Sequence, residues 1–209
     1  EEDTEFRQNN VLGFKVGDII QISEKIDGSN ACVAYDSETD SLVCFSRRQK
    51  LDFQTNLSEF WNYVQTLDKT EFKLHPSWRV FGEWSGAKNK LVYDERFKKK
   101  WIIYDIYDME VAQYLPQDVV KAFCKTTGIE YIYVFYEGPF ISWEHCKSFL
   151  NSPQYGEKQE GVVVKNISKL FNDEDTIPFY LKIVNDDFKE TMKTRVRVIN
   201  LEEEKAKDD

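Results

Sequence analysis

The sequence predicts an α+β fold of largely antiparallel sheets flanked by helices, and three observations lead to this prediction. Segments rich in β-branched and aromatic residues recur along the chain between turn-forming residues. Segments with a helical spacing of apolar residues are fewer. The two kinds follow one another irregularly instead of as repeating β-α-β units, which favours antiparallel pairing.

Eight segments have the composition of short strands, and three have the spacing of helices. The predicted strands are 18–24, 31–35, 42–45, 79–84, 101–107, 131–136, 161–164 and 179–184. The first helix is predicted at 57–67, where apolar residues share one face. The second follows Pro116, which suits a first helical turn, and the third, 143–150, lies behind the capping residue Ser142.

The length of 209 residues fits one domain, because domains usually run to about 100 to 200 residues. The chain contains no internal repeat, low-complexity tract or Pro/Gly-rich linker. Both ends are polar and charged, as solvated termini are. We therefore predict a polar N-terminal segment at 1–10, a single domain at 11–200 and a charged tail at 201–209.

The composition excludes several classes of protein. Apolar residues make up 41% and aromatic residues 15%, too much for a disordered chain. The net charge of -9 repels a phosphate backbone, so any nucleic-acid site must be a local basic patch. The sequence has no long apolar run, an acidic start, no CxxC pair and two histidines. We expect no membrane span, secretion signal or zinc finger, but a monomer with buried free thiols, intracellular and most simply cytoplasmic.

The octapeptide SEKIDGSN places Lys25 where an apolar strand meets a turn. Gly28 in that turn allows the backbone to approach a ligand closely or to adopt a positive φ. Alone, the pattern also fits an ordinary surface lysine on a hairpin. Asp27 likewise has two interpretations: it can orient the amine or reach a metal, or it can simply form the turn.

Three other predicted strands carry charges among apolar neighbours, where a core strand would carry none. Glu83 lies in FGEW, Glu160 and Lys165 bound EGVVVK, and Lys182 lies in YLKIV. Together with Lys25, these charges indicate one site assembled from distant strands.

Strand alternation predicts which side chains face that site. Leu181 and Ile183 should pack inward, whereas Tyr180, Lys182 and Val184 should face the site. By the same rule, Tyr104 and its neighbour Asp105 should point to opposite faces, so that they do not both enter one pocket.

Six motifs in order carry a resemblance: EKIDGSN, SRRQKL, FGEW, IIYDIY, EGVVVK and YLKIV. This set, spanning 25–184, resembles the covalent lysine nucleotidyltransferase superfamily and, within it, the ATP-dependent RNA ligases of the phage and kinetoplastid editing type. The resemblance implies a nucleotidyltransferase domain (ATP-grasp-like ligase adenylation) with no OB-fold in this chain, since only 27 residues follow Lys182. Either the chain is a minimal core or a C-terminal domain is missing from it.

The resemblance implies that Lys25 attacks ATP to form lysyl-AMP, that AMP passes to the 5′-phosphate of an RNA end, and that the 3′-hydroxyl is then joined. Arg47 would hold phosphate or ribose, Glu83 the ribose, Tyr104 the adenine by stacking, and Lys182 the α-phosphate. Glu160 would hold the divalent metal, Mg²⁺ or Mn²⁺. The implied ATP-binding or AMP-binding set is Glu24, Lys25, Ile26, Asn30, Arg47, Glu83, Tyr104, Glu160 and Lys182, with Asp27, Arg48 and Lys165 as additional candidates.

One position departs from the pattern of the family. Many relatives carry a second lysine two positions after the fifth-motif lysine, where this chain has Val184. Lys165, Lys169 or Lys189 would have to substitute for it.

The chemistry agrees with these roles. A free lysine has a pKa near ~10.4, so a neighbouring cation must favour its neutral, nucleophilic form. Cations on the α-phosphate must also stabilise the charge that develops as pyrophosphate leaves. Two alternatives stay open: a GTP-dependent capping or DNA ligase core with the same lysine chemistry, and a non-catalytic nucleic-acid-binding relative.

Overall fold

Two antiparallel sheets form the framework of the protein, and the computed structural model describes residues 14–55, 57–86, 90–168 and 180–188. The strands are β1 (Ile19–Lys25), β2 (Ser29–Asp36), β3 (Ser41–Ser46), β4 (Trp78–Trp84), β5 (Trp101–Asp108), β6 (Gln113–Tyr114), β7 (Val134–Pro139), β8 (Gly161–Asn166) and β9 (Tyr180–Val184). The helices are α1 (Ser58–Gln65), α2 (Thr70–Leu74), α3 (Gln117–Thr127) and α4 (Trp143–Lys147), with a 3₁₀ turn at Glu95–Phe97. Sheet A has the order β7-β1-β8-β9, and sheet B has the order β3-β2-β4-β5-β6.

Sheet A is apolar on one face and polar on the other, as alternation requires. Ile20 and Ile22 of β1 and Val162 and Val164 of β8 pack in one cluster, which Trp143 of α4 helps to cover. The residues between them on the same strands face sheet B. The polar face of sheet A is therefore free to form a site.

One face of sheet B is covered by α1, α2 and α3, and its opposite face is directed toward sheet A. Val33, Val80 and Ile103 pack there with Phe60 and Phe123 of the helices. Trp84 and Trp101 are both buried in this cluster and so belong to the core. The two sheets thus turn their polar faces toward each other.

The α+β prediction with antiparallel sheets is confirmed, because every pairing of named strands is antiparallel. The strand predicted at 131–136 begins only at Val134, because the chain before it forms one isolated bridge, between Tyr131 and Ile103, instead of a ladder. Two short elements were not predicted: β6, with only two residues, and α2, with five, both too short to show a period.

Further sequence predictions have mixed outcomes. The helix predicted at 143–150 ends at Lys147. The four cysteines are buried and free. Among the described residues, no helix is long and apolar enough to cross a membrane. The segments 1–10 and 201–209 and the positions Lys169 and Lys189 lie outside the described residues.

Candidate active site

A cavity of about 620 Å³ lies between the polar faces of the two sheets. Sheet A contributes Lys25 from β1 and Lys182 from β9, and sheet B contributes Glu83 from β4. The charged strand positions that the sequence singled out are therefore brought together by the folding of one sheet over the other.

Lys25 and Glu160 form an ion pair, with 2.5 Å between Lys25 Nζ and Glu160 Oε1. The register explains the contact, because Lys25 lies opposite Gly161 across the β1–β8 ladder. The Lys25 side chain is 19% exposed and that of Glu160 10%. Burial raises the pKa of Glu160, although the Lys25 ammonium opposes that shift. The lysine is thus held in place at the cavity and not in open solvent.

Glu83 and Lys182 face the same cavity from opposite sheets. Burial raises the pKa of Glu83 to about 7, against the opposing effect of Lys25. The pKa of Lys182 is lowered, first by burial and then by the charges of Lys25 and Arg47. Lys25 and Arg47 are therefore close enough to disfavour the charged form of Lys182.

The remaining polar candidates of sheet B also line the cavity: Asn30, Arg47, Arg48 and Tyr104. Asn30 pairs with Glu83 across the β2–β4 ladder, and its side-chain amide donates a hydrogen bond to the Tyr104 hydroxyl. This contact fixes the edge of the Tyr104 ring. Arg47 and Arg48 follow directly after β3, at the exposed rim.

The prediction that Tyr104 and Asp105 face opposite ways is wrong. Both line the cavity. The register between β4 and β5 shifts at this point, from Phe81 opposite Asp105 to Gly82 opposite Ile103. Tyr104 is the extra residue of a β-bulge, and a bulge turns neighbouring side chains to the same face.

Lys165 lines the cavity, but its ammonium is held in a buried ion pair. Its Nζ lies 2.7 Å from Asp105 Oδ1 and 3.3 Å from the Tyr104 carbonyl oxygen. The Gln117 amide donates to the same carboxylate oxygen at 3.0 Å, and its own oxygen accepts from the Tyr131 hydroxyl. This network ties α3 and sheet A to the bulge. Gln117 has no sequence signal as a site residue, because it opens a helix remote from the motifs.

Three candidates next to Lys25 have contacts of different kinds. Strand β1 ends at Lys25, and the Asp27 carboxylate accepts hydrogen bonds from the backbone N–H groups of Lys90 and Leu91. The Asp27 carboxylate thus links this turn to a distant segment, and both interpretations of Asp27 stay predictions. Glu24 is buried, accepts a hydrogen bond from the Gln154 backbone, and has a pKa raised by burial to about 7. Ile26 lines the cavity.

Val184, where relatives often have lysine, closes β9 opposite Gly161 and is half-buried. It is not among the residues lining the cavity, although alternation predicted that it would face the site. The other two predictions for β9 are supported: Leu181 and Ile183 pack in the apolar cluster of sheet A, and Tyr180 faces the cavity.

Further lining residues were not identified as candidates from the sequence, among them Ser23, Ser46 and Tyr114. Ser23 precedes Lys25 by two positions, so strand alternation could have placed it on the same face, and Ser46 directly precedes the candidate Arg47. Tyr114 lies on the two-residue β6 and has no such signal.

The comparison with protein families agrees with this geometry. The model of the family described as RNA ligase matches residues 18–184, which include both sheets and the whole cavity. The chain belongs to the RNA ligase family. No curated protein sequence matches this RNA ligase family member at a significant level.

Solved structures of RNA ligases share the fold. The Naegleria gruberi RNA ligase with PPi is 18% identical with a TM-score of 0.70, over 91% of this chain and 56% of that one. A point mutant of the Naegleria gruberi RNA ligase, solved with ATP and Mn, is 18% identical with a TM-score of 0.66, over 84% and 52%. An archaeal ATP-dependent RNA ligase is 21% identical with a TM-score of 0.60, over 82% and 44%. This RNA ligase family chain thus spans about half the length of those proteins.

Proposed function

We propose that the chain is the adenylylating part of an ATP-dependent RNA ligase. One observation carries the proposal: Lys25 lines a cavity between two sheets together with Glu83 and Lys182, and its ammonium is paired with Glu160. Membership of the RNA ligase family and the fold shared with ligases solved with ATP support it.

The first step is transfer of AMP to the lysine. The neutral Lys25 amine attacks the α-phosphorus of ATP, the new Nζ–P bond forms, and the bond to the departing pyrophosphate breaks. The Lys25 ammonium gives up one proton to the Glu160 carboxylate, 2.5 Å from Nζ, before attack, and the nitrogen releases a second proton to water as the Nζ–P bond forms. Lys182 and Arg47 stabilise the charge that develops on the phosphate oxygens.

The nucleoside is oriented by the opposite wall. Glu83 accepts hydrogen bonds from the ribose hydroxyls, and the ring of Tyr104, steadied by Asn30, offers a stacking face for adenine. Glu24 and Ile26 line the same cavity. Orientation of this kind supplies the alignment that an in-line attack requires.

The residues fit a divalent cation held partly by phosphate. Within the described ranges no three His, Cys, Asp or Glu side chains cluster as a metal site. Mg²⁺ usually keeps several waters and binds through one or two carboxylates plus substrate phosphates, which Glu160 beside the cavity satisfies. The ion, Mg²⁺ or Mn²⁺, would supply charge neutralisation at the phosphates.

The subsequent steps pass AMP to the 5′-phosphate of an RNA end and join the 3′-hydroxyl, releasing AMP. We place the protein in the cytoplasm, since four buried free cysteines suit a reducing compartment. We expect it to act as a monomer, because one chain contributes both walls of the cavity.

Mass spectrometry after incubation with ATP and Mg²⁺ tests the proposal. The protein should gain the mass of one AMP, and Lys25→Ala should abolish the gain. Lys125→Ala, which removes an exposed lysine of α3 outside the cavity, is the matched control and should retain it. GTP in place of ATP should give no adduct. An unmodified wild-type protein, or an adduct that persists in Lys25→Ala, would contradict the proposal.

A further inference from the structure

A second cavity of about 630 Å³ lies beside the candidate active site. Its walls come from the segment around the 3₁₀ turn, from α3 and from the chain between α3 and β7. Among the residues that line the two cavities, only Ile132 lines both. The second cavity is therefore a separate site, of a size that ordinarily holds a small organic ligand.

The charges around this cavity favour an anion. Arg96, Lys100 and Lys121 line it, against the single carboxylate of Glu130. In the part of the chain that the structure describes, none of these three cations forms a salt bridge, whereas the two lysines between Arg96 and Lys100 both do. In a protein with a net charge of -9, a cluster of such cations is a local exception.

The cavity also presents a flat aromatic face. Tyr133 is 45% exposed, although its backbone is fixed at both ends. Its N–H donates to the Tyr155 hydroxyl at 2.7 Å, and its carbonyl accepts from the N–H of Glu24 at 3.0 Å. A half-exposed tyrosine in a cavity lined by cations is the combination that binds single-stranded nucleic acid, with bases on the ring and phosphates on the cations.

We propose that this second cavity binds a nucleotide of a single-stranded RNA segment, with its phosphates on Arg96, Lys100 and Lys121 and a base on Tyr133. The choice of RNA rests on the proposed function. The Glu24 N–H donates to the Tyr133 carbonyl oxygen, so this wall of the second cavity is joined to the residue that precedes Lys25, and the second cavity adjoins the candidate active site.

The test is binding of a short fluorescent single-stranded RNA with hydroxyls at both ends, measured by anisotropy over a salt series. Arg96→Gln/Lys121→Gln should bind several-fold more weakly, and the slope of log affinity against log salt should fall by about 1.4, since each single-strand phosphate contact contributes about 0.7. Tyr133→Ala should weaken binding about tenfold.

The control is Lys125→Gln/Lys147→Gln, which changes the net charge equally but removes lysines outside the cavity. It should bind RNA like the wild type. Equal RNA affinity and equal salt slope in the cavity variants and the control would overturn the inference. Lysyl-AMP formation, measured in parallel, should be unchanged in every variant. If the wild type forms no lysyl-AMP, that result counts against the proposed function, whereas the RNA affinities of the variants and the control still test this inference.

Discussion

Single residues next to Lys25 are constrained by how closely two backbones approach. A Cβ atom on Gly28 would lie 2.5 Å from the Trp84 carbonyl oxygen and 3.1 Å from the Cγ atom of Glu83. Backbone cannot move aside as a flexible side chain can. The glycine in the KIDG turn is therefore required by β4 and by the carboxylate that the turn packs against.

Gly28→Ala should lower both thermal stability and the yield of lysyl-AMP, because β4 and Glu83 would have to shift. Gly138→Ala is the comparison, since its Cβ would meet the end of the Tyr136 side chain and no backbone atom. Thermal unfolding and the adenylylation assay measure the two effects. Equal losses in the two variants would refute the argument.

The two glutamates with a pKa near 7 predict how stability varies with pH. Because their pKa lies above the ordinary value of 4.5, the folded protein holds these protons more tightly than the unfolded chain. Their stabilising contribution is complete below pH 4.5 and is lost as pH rises through about 7. Each accounts for at most about 3 kcal/mol.

Unfolding by denaturant at a series of pH values should therefore show the free energy of unfolding falling between about pH 5 and about pH 8. Glu83→Gln should flatten part of this fall, because the amide cannot ionise. If the variant keeps the full wild-type dependence on pH, Glu83 is not the group responsible.

At the scale of elements, the β-bulge at Tyr104 decides what the cavity contains. Regular alternation would direct only one of Tyr104 and Asp105 toward it. The bulge directs both, so that one ring faces the ligand space while the adjacent carboxylate holds Lys165 of the other sheet. A single extra residue thus joins the wall of the cavity to the contact between the sheets.

Asp105→Leu should destabilise the fold by about 3–5 kcal/mol, because it leaves the Lys165 ammonium buried without its partner. Asp105→Leu/Lys165→Met should recover most of that loss, since both charges are then gone. Urea unfolding of the wild type, both single variants and the double variant measures the coupling. A double variant that is no more stable than Asp105→Leu would contradict this account.

At the scale of the whole molecule, the ligand space lies between two sheets that each have an apolar core of their own. A nucleotide that contacts Lys182 on one sheet and Glu83 on the other would connect them. Binding of the nucleotide should therefore reduce local unfolding in both sheets at the same time.

Lys25→Met removes the amine that we propose reacts with ATP, and hydrogen exchange on this variant should show slower amide exchange in β1 and β4 when ATP and Mg²⁺ are added. Helix α4 lies on the far face of sheet A and should change least. Protection confined to one sheet would argue against a site between them.

The sequence by itself determined the fold class, most strands, the apolar faces and the charged positions that converge on the cavity. These follow from local composition and from alternation, which each short segment carries within itself. Lys25, Glu83, Glu160 and Lys182 were recognisable because a charge among Val, Ile, Phe and Trp conflicts with burial. What those residues bind stays a prediction.

Only the tertiary structure decided the facing of Tyr104 and Asp105, the carboxylate contacts of Asp27, the part played by Gln117 and the existence of the second cavity. Each depends on a partner distant in sequence: the register of β4 on β5, the backbone at Lys90 and Leu91, the approach of α3, and the meeting of α3 with the 3₁₀ turn. A local pattern holds no information about which remote atoms satisfy a buried polar group, so packing alone settles these contacts.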